Sequence, residues 1–124
     1  MKSIAILLTD NKSISEQLII KSYEKLKSSK IKEIFLIGDK NLFPKLYKCS
    51  QYKGEKINFV DIQYKKKPMN YLRDITCYAV NLFKKKKINY LINMPINKKK
   101  FLNNKYPGYT EFFSHMISKK KKTN

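Results

Sequence analysis

The stretch Ile92 to Phe113, INMPINKKKFLNNKYPGYTEFF, holds the side chains best suited to chemistry. Asn97 and Lys98 follow Pro95 and Ile96, and Tyr109 and Thr110 follow Pro107 and Gly108. Proline removes a backbone donor and fixes φ, and glycine relaxes the backbone, so neither stretch suits a helix interior or a strand. Both read as site loops. Lys98 after a strand end can place a point charge on a phosphate, and Tyr109 and Thr110 present hydroxyls at a helix start. Plainer roles stand beside these: a solvated lysine at 98, and a helix cap at Thr110 ahead of Glu111. A second region, TDNKSISEQ, sets Asp10, Asn11, Ser13 and Ser15 before a helix whose free amides favour an anion. It lacks the glycines that let a backbone close on phosphate, and capping is the simpler role for its serines. Gly38 and Asp39 are accounted for by a turn and a cap.

The elements that must position these residues follow from apolar periodicity. Ser3 to Leu8 and Lys32 to Gly38 are short apolar runs of buried-strand type, and Ile57 to Ile62 alternates more weakly. Ile88 to Met94 is a further strand. A helix is predicted from near Ser13, where Ser13 and Glu16 have capping-box spacing, with Leu18, Ile19, Ser22, Tyr23 and Leu26 on one face. A short helix is predicted around Leu42 and Leu46. Met69, Leu72, Thr76, Ala79, Val80 and Phe83 mark a longer one, and the last begins near Thr110. Such alternation predicts an α/β fold, a mostly parallel sheet with helices on both faces and right-handed crossovers. Ligands in such sheets sit at the carboxyl ends of strands. The loops to inspect are Thr9 to Glu16, Gly38 to Asn41, and Met94 to Thr110. Residues 1–117 form one α/β domain in this reading, and 118–124 a disordered basic tail.

Composition bounds the partners. The 124 residues carry a formal charge of +19, which by itself points to phosphate-rich partners. Yet Arg73 is the only arginine among 28 basic residues, and sites that grip phosphate or base edges in fixed geometry favour the guanidinium fork. The lysine, asparagine, isoleucine, tyrosine and phenylalanine content fits AT-rich coding equally well. Nucleic acid is therefore disfavoured as the partner. No run is long enough to span a membrane. Cys49, Cys77 and His115 stand apart, without zinc or disulfide spacing, which fits a cytoplasmic location.

The run NMPINKKKFLNNKYPGYTEFF resembles the A-P-I-N-K followed by P-G-H-T-E of the 4-hydroxythreonine-4-phosphate dehydrogenase family of pyridoxal phosphate (vitamin B6 coenzyme) biosynthesis. ILLTDNKSISEQLIIKSYEKL is similar to the family's T-P-G-D-P-A-G-I-G-P-E and following helix, and FLIGDKNLF to its V-L-I-G-D. The resemblance implies the N-terminal part of an isocitrate/isopropylmalate dehydrogenase-like fold. It also implies NAD-dependent, metal-assisted oxidation of 4-phosphooxy-threonine, with a small phosphorylated substrate held by Tyr109, Thr110, Lys98, Asn97 and Asp10. A homodimer, NAD and a divalent metal are implied as well. Tyr109 replaces the family histidine, and a phenol cannot carry the imidazolium charge on an anion. Thr9, Ser13 and Ser15 stand where the family has glycines. The family's metal ligands fall after P-G-H-T-E, outside this sequence, so the chain is expected to be a truncated form, inactive alone or acting with a missing C-terminal half. The alternatives are a non-catalytic basic module for phosphate or RNA, or a decaying relic.

Overall fold

A computed structural model describes residues 2–10, 16–17, 19–21, 25, 30–53, 56–93, 98–102, 105–106 and 108–123. The strands are β1 (Lys2–Leu7), β2 (Ile31–Gly38), β3 (Ile57–Asp61) and β4 (Tyr90–Asn93). The helices labelled here are α1 (Pro44–Lys53), α2 (Pro68–Lys84), α3 (Lys98–Leu102) and α4 (Tyr109–Thr123). All strand pairs are parallel, in the order β3-β2-β1-β4.

The expected α/β architecture with a parallel sheet is what forms. β1 lies inside the sheet and is covered on both faces, which is why its sequence is a continuous apolar run rather than an alternating one. Successive side chains of a strand point to opposite faces. Ala5 and Leu7, with Ile37 of β2, face Tyr71, Leu72 and Ile75 of α2 and Phe101, Leu102 and Phe112 of α3 and α4. Ile4, Ile6 and Leu8, with Ile34 and Leu36, face Phe43 and Leu46 together with Ile19 and Ile20. β4 enters in register through Asn89, whose side chain accepts from the Ser3 amide at 2.9 Å while its own amide donates to the Ser3 carbonyl at 2.8 Å.

Several local expectations meet a different outcome. Most of the helix predicted from Ser13 lies outside the described residues; Glu16, Gln17, Ile19, Ile20, Lys21 and Lys25 are helical. Ser13, and with it the expected capping box, is outside them too; the Glu16 carboxylate accepts from the Leu46 amide at 2.7 Å and so caps the first turn of α1. The span from Met94 to Thr110, expected as loop, contains the short helix α3, because Phe101 and Leu102 are drawn fully into the core. α4 continues to Thr123 through the lysines expected as a disordered tail. Lysine is a good helix former, and cations near a helix C-terminus complement the macrodipole. Among the described residues no helix is long and apolar enough to cross a membrane.

α2 ends in a paired-carbonyl cap. The Lys86 amide donates to Phe83 O at 3.0 Å and the Lys87 amide to Leu82 O at 2.9 Å, with Lys86 left-handed at φ 59°. That is a Schellman closure, a position normally taken by glycine. A left-handed lysine costs about 1–2 kcal/mol, which the greater chain entropy of glycine offsets only in part. Lys86→Gly is therefore expected to raise unfolding stability by roughly 0.5–1 kcal/mol in urea titrations; a loss of stability would show that this cap is not closed as described.

Candidate functional site

In a parallel sheet all strands release their chains at one edge. Here β1 connects onward to β2 and β3 on one side, whereas β4 lies on its other side, so the topology switches direction between β1 and β4. Crevices at such switch points are the usual ligand sites of open α/β sheets. Leu7 pairs with Asn93, so the carboxyl ends of β1 and β4 lie side by side. The candidate residues Asp10, after β1, and Asn97 and Lys98, after β4, thus belong to segments leaving neighbouring strands. Thr9 and Asp10 are buried there, at 0% and 4% exposure, and both are engaged in polar interactions. Asn97 lies outside the described residues. Lys98 opens α3, with its side chain outside them.

Tyr109 and Thr110 open α4 and part company. Tyr109 turns inward: its hydroxyl shares a 2.8 Å hydrogen bond with Thr76 Oγ1 in the middle of α2, and its ring packs on Phe112 and Phe113. Burial pushes its phenol up to about 12, against a smaller lowering by Thr76. Tyr109 is therefore a neutral hydrogen-bonding group held against the helix layer. Thr110 is exposed beside it.

The edge is organised by residues that sequence reasoning left unassigned or gave only turn and cap roles. The Tyr71 hydroxyl donates to Leu8 O at 2.5 Å and accepts from the Asp39 amide at 3.0 Å, tying the ends of β1 and β2 to α2. Its phenol is raised far above the ordinary tyrosine range, mainly by burial. Gly38 makes room for this clasp, since a methyl there would sit 2.6 Å from Leu8 Cβ and 2.9 Å from the Tyr71 hydroxyl. Asp39 is buried and accepts from the amides of Asn41 (2.6 Å) and Tyr64 (2.7 Å), which joins the loops after β2 and β3. The Tyr64 ring meets Tyr71 edge-on at 5.3 Å and lies under Lys100 Nζ at 5.6 Å. Beside it, Lys67, Asn70, Lys100 and Lys105 line an open hollow of about 260 Å³. Asp61 accepts from the Lys40 amide at 3.0 Å. Tyr71 falls on the apolar stripe of α2, so nothing in sequence separates its polar role from packing.

Among the described residues no group of three or more His, Cys, Asp or Glu side chains could hold a metal ion. The donor set present does not fit a catalytic divalent metal, which needs several converging ligands.

A solved structure has the same chain path. The protein is similar to a crystal structure of a 4-hydroxythreonine-4-phosphate dehydrogenase from Burkholderia phymatum, at TM-score 0.72 and 19% identity over 95% of this chain. The two share a fold. The chain spans 44% of that dehydrogenase's length. No protein-family model matches the sequence, and no curated protein matches it.

The inward Tyr109 carries a pH signature. Its folded phenol titrates above the ordinary value of 10.0, so its contribution to stability is complete below that pH and is lost as pH climbs toward about 12. Tyrosinate absorbance of the native protein minus that of Tyr109→Phe should show one phenol ionising near pH 12. Titration of that phenol at its ordinary value would place it in solvent.

Proposed function

We propose that this chain is the substrate-holding part of a 4-hydroxythreonine-4-phosphate dehydrogenase, an NAD-dependent oxidoreductase of pyridoxine biosynthesis. One observation carries it: the fold shared with such a dehydrogenase over 95% of the chain. β4, which the family-like stretch follows in sequence, ends beside the end of β1, which supports the reading.

In this reading Lys98 sets its ammonium against the substrate phosphate, as a compact point charge suited to that group. Asn97 and Asp10 orient the substrate's polar groups from the segments after β4 and β1. Thr110 donates its hydroxyl, and Tyr109, neutral and fixed by Thr76, contributes contact without charge. Placing the substrate carbon in line for hydride loss is the work assigned to these residues, because fixed orientation supplies a large share of a rate enhancement. The metal and most of the NAD contacts are assigned to residues other than the described ones. The proposed setting is the cytoplasm, where Cys49 and Cys77, which are not disulfide-bonded, stay reduced.

Isothermal titration with 4-phosphooxy-threonine tests this reading. The chain should bind it, Lys98→Ala should weaken binding roughly tenfold or more, and Thr110→Val roughly threefold to tenfold, the range of hydrogen bonds to charged and neutral groups. The chain alone with NAD and magnesium should reduce no cofactor. Binding that is absent, or indifferent to both substitutions, would remove the proposal.

A further inference from the structure

α2 carries the Tyr71 and Thr76 hydroxyls in its buried stripe, and each reaches out of the helix to a different segment. The Tyr71 hydroxyl donates to the Leu8 carbonyl, directly ahead of Thr9 and Asp10. Thr76, at 0% exposure, shares a hydrogen bond with the hydroxyl of Tyr109, directly ahead of Thr110. Tyr71 and Thr76 lie about 7.5 Å apart along the axis of one continuous helix. The segment after β1 and the start of α4 are thus referred to the same rod.

Burial alone does not call for the Thr76 bond. Valine at 76 and phenylalanine at 109 would fill the same space, and replacing both partners of a buried hydrogen bond by apolar groups of like shape is nearly neutral for stability. Thr76 has no need of Tyr109 either, because a helical threonine can turn its hydroxyl to its own backbone. What the pair adds is direction. Phe112 and the Tyr109 ring seat the first turn of α4 by apolar contact, which is non-directional. A hydrogen bond weakens steeply off its axis, so it fixes how α4 is turned. Successive residues of a helix stand about 100° apart; with Tyr109 held on α2, Thr110 turns outward and is exposed.

We propose that Thr76 is a positioning residue: through Tyr109 it sets the orientation of Thr110, and together with Tyr71 it makes α2 the common reference for the segments that hold Asp10 and Thr110. This rests on the reading of the chain as the substrate-holding part of a dehydrogenase.

Isothermal titration with 4-phosphooxy-threonine and urea unfolding of the full chain, run on the same variants, test it. Thr76→Val sets a methyl against the Tyr109 hydroxyl and should lower both the unfolding midpoint and the affinity. Adding Tyr109→Phe should restore the midpoint, because both polar partners are then gone, and leave binding roughly threefold to tenfold weaker than native, the loss expected of Thr110→Val. Thr110→Val placed in that double variant should cost less than about twofold more, since the hydroxyl it removes is already misdirected. Thr76→Ser, which keeps the hydroxyl, should bind within about twofold of native. Affinity that returns together with stability in the double variant, or losses that simply multiply with Thr110→Val, would leave Thr76 a packing residue and overturn the proposal. So would a double variant that stays as unstable as Thr76→Val. No binding by the native chain removes the dehydrogenase reading and the role of Thr76 with it; native binding that ignores these substitutions removes the role alone.

Discussion

The Tyr71 hydroxyl is the point on which the carboxyl edge of the sheet depends. It sits in the core and joins three elements: the Leu8 carbonyl after β1, the Asp39 amide after β2, and α2, which carries it. A buried polar atom without partners would cost about 1–3 kcal/mol, so the pairing also fixes the height of α2 against the sheet. Gly38 is the steric condition for that contact. From Asp39 the constraint passes to Tyr64, and through the Tyr64 ring to Lys100 on α3. The chain after β1 and the loops after β2 and β3 are thus held by a chain of short-range contacts beginning at one phenol.

The apolar runs made the strands legible, because a strand buried on both faces needs an unbroken run, as Ile4 to Leu8 provides. The stripe from Met69 to Phe83 made α2 legible for the same reason at helical period. Strand order was not legible: nothing in Ile88 to Met94 says that it pairs with β1 on the side away from β2. That order is what puts Asp10 and Lys98 on neighbouring connections. α3 was hidden because Phe101 and Leu102 are embedded among lysines and asparagines, where composition suggests loop. Tyr109 was read as a presented hydroxyl, but at the first turn of α4 it faces α2, where Thr76 satisfies it. Asp39 has the spacing of an ordinary turn residue; its reach to Tyr64 is a tertiary fact.

Lysine fills structural roles that other chains give to glycine or arginine. Lys65, Lys66 and Lys86 take left-handed backbone angles with φ of 53°, 54° and 59°. Lys2, Lys40 and Lys100 lie over aromatic rings at 4.9 to 5.6 Å from the centroids. This fits the compositional account of the charge, in which lysine is used wherever the fold tolerates it. Much of the +19 is then background, on which a few lysines near the carboxyl edge are set apart by place rather than by type.

The central claim is the proposal that the segments following β1 and β4 hold a phosphorylated substrate. Amide chemical-shift mapping with 4-phosphooxy-threonine reads it directly. The account predicts perturbations concentrated at Thr9, Asp10, Lys98 and Thr110, with those of β3 and α1 unmoved. Perturbations spread over lysines across the surface, or absent altogether, would contradict it.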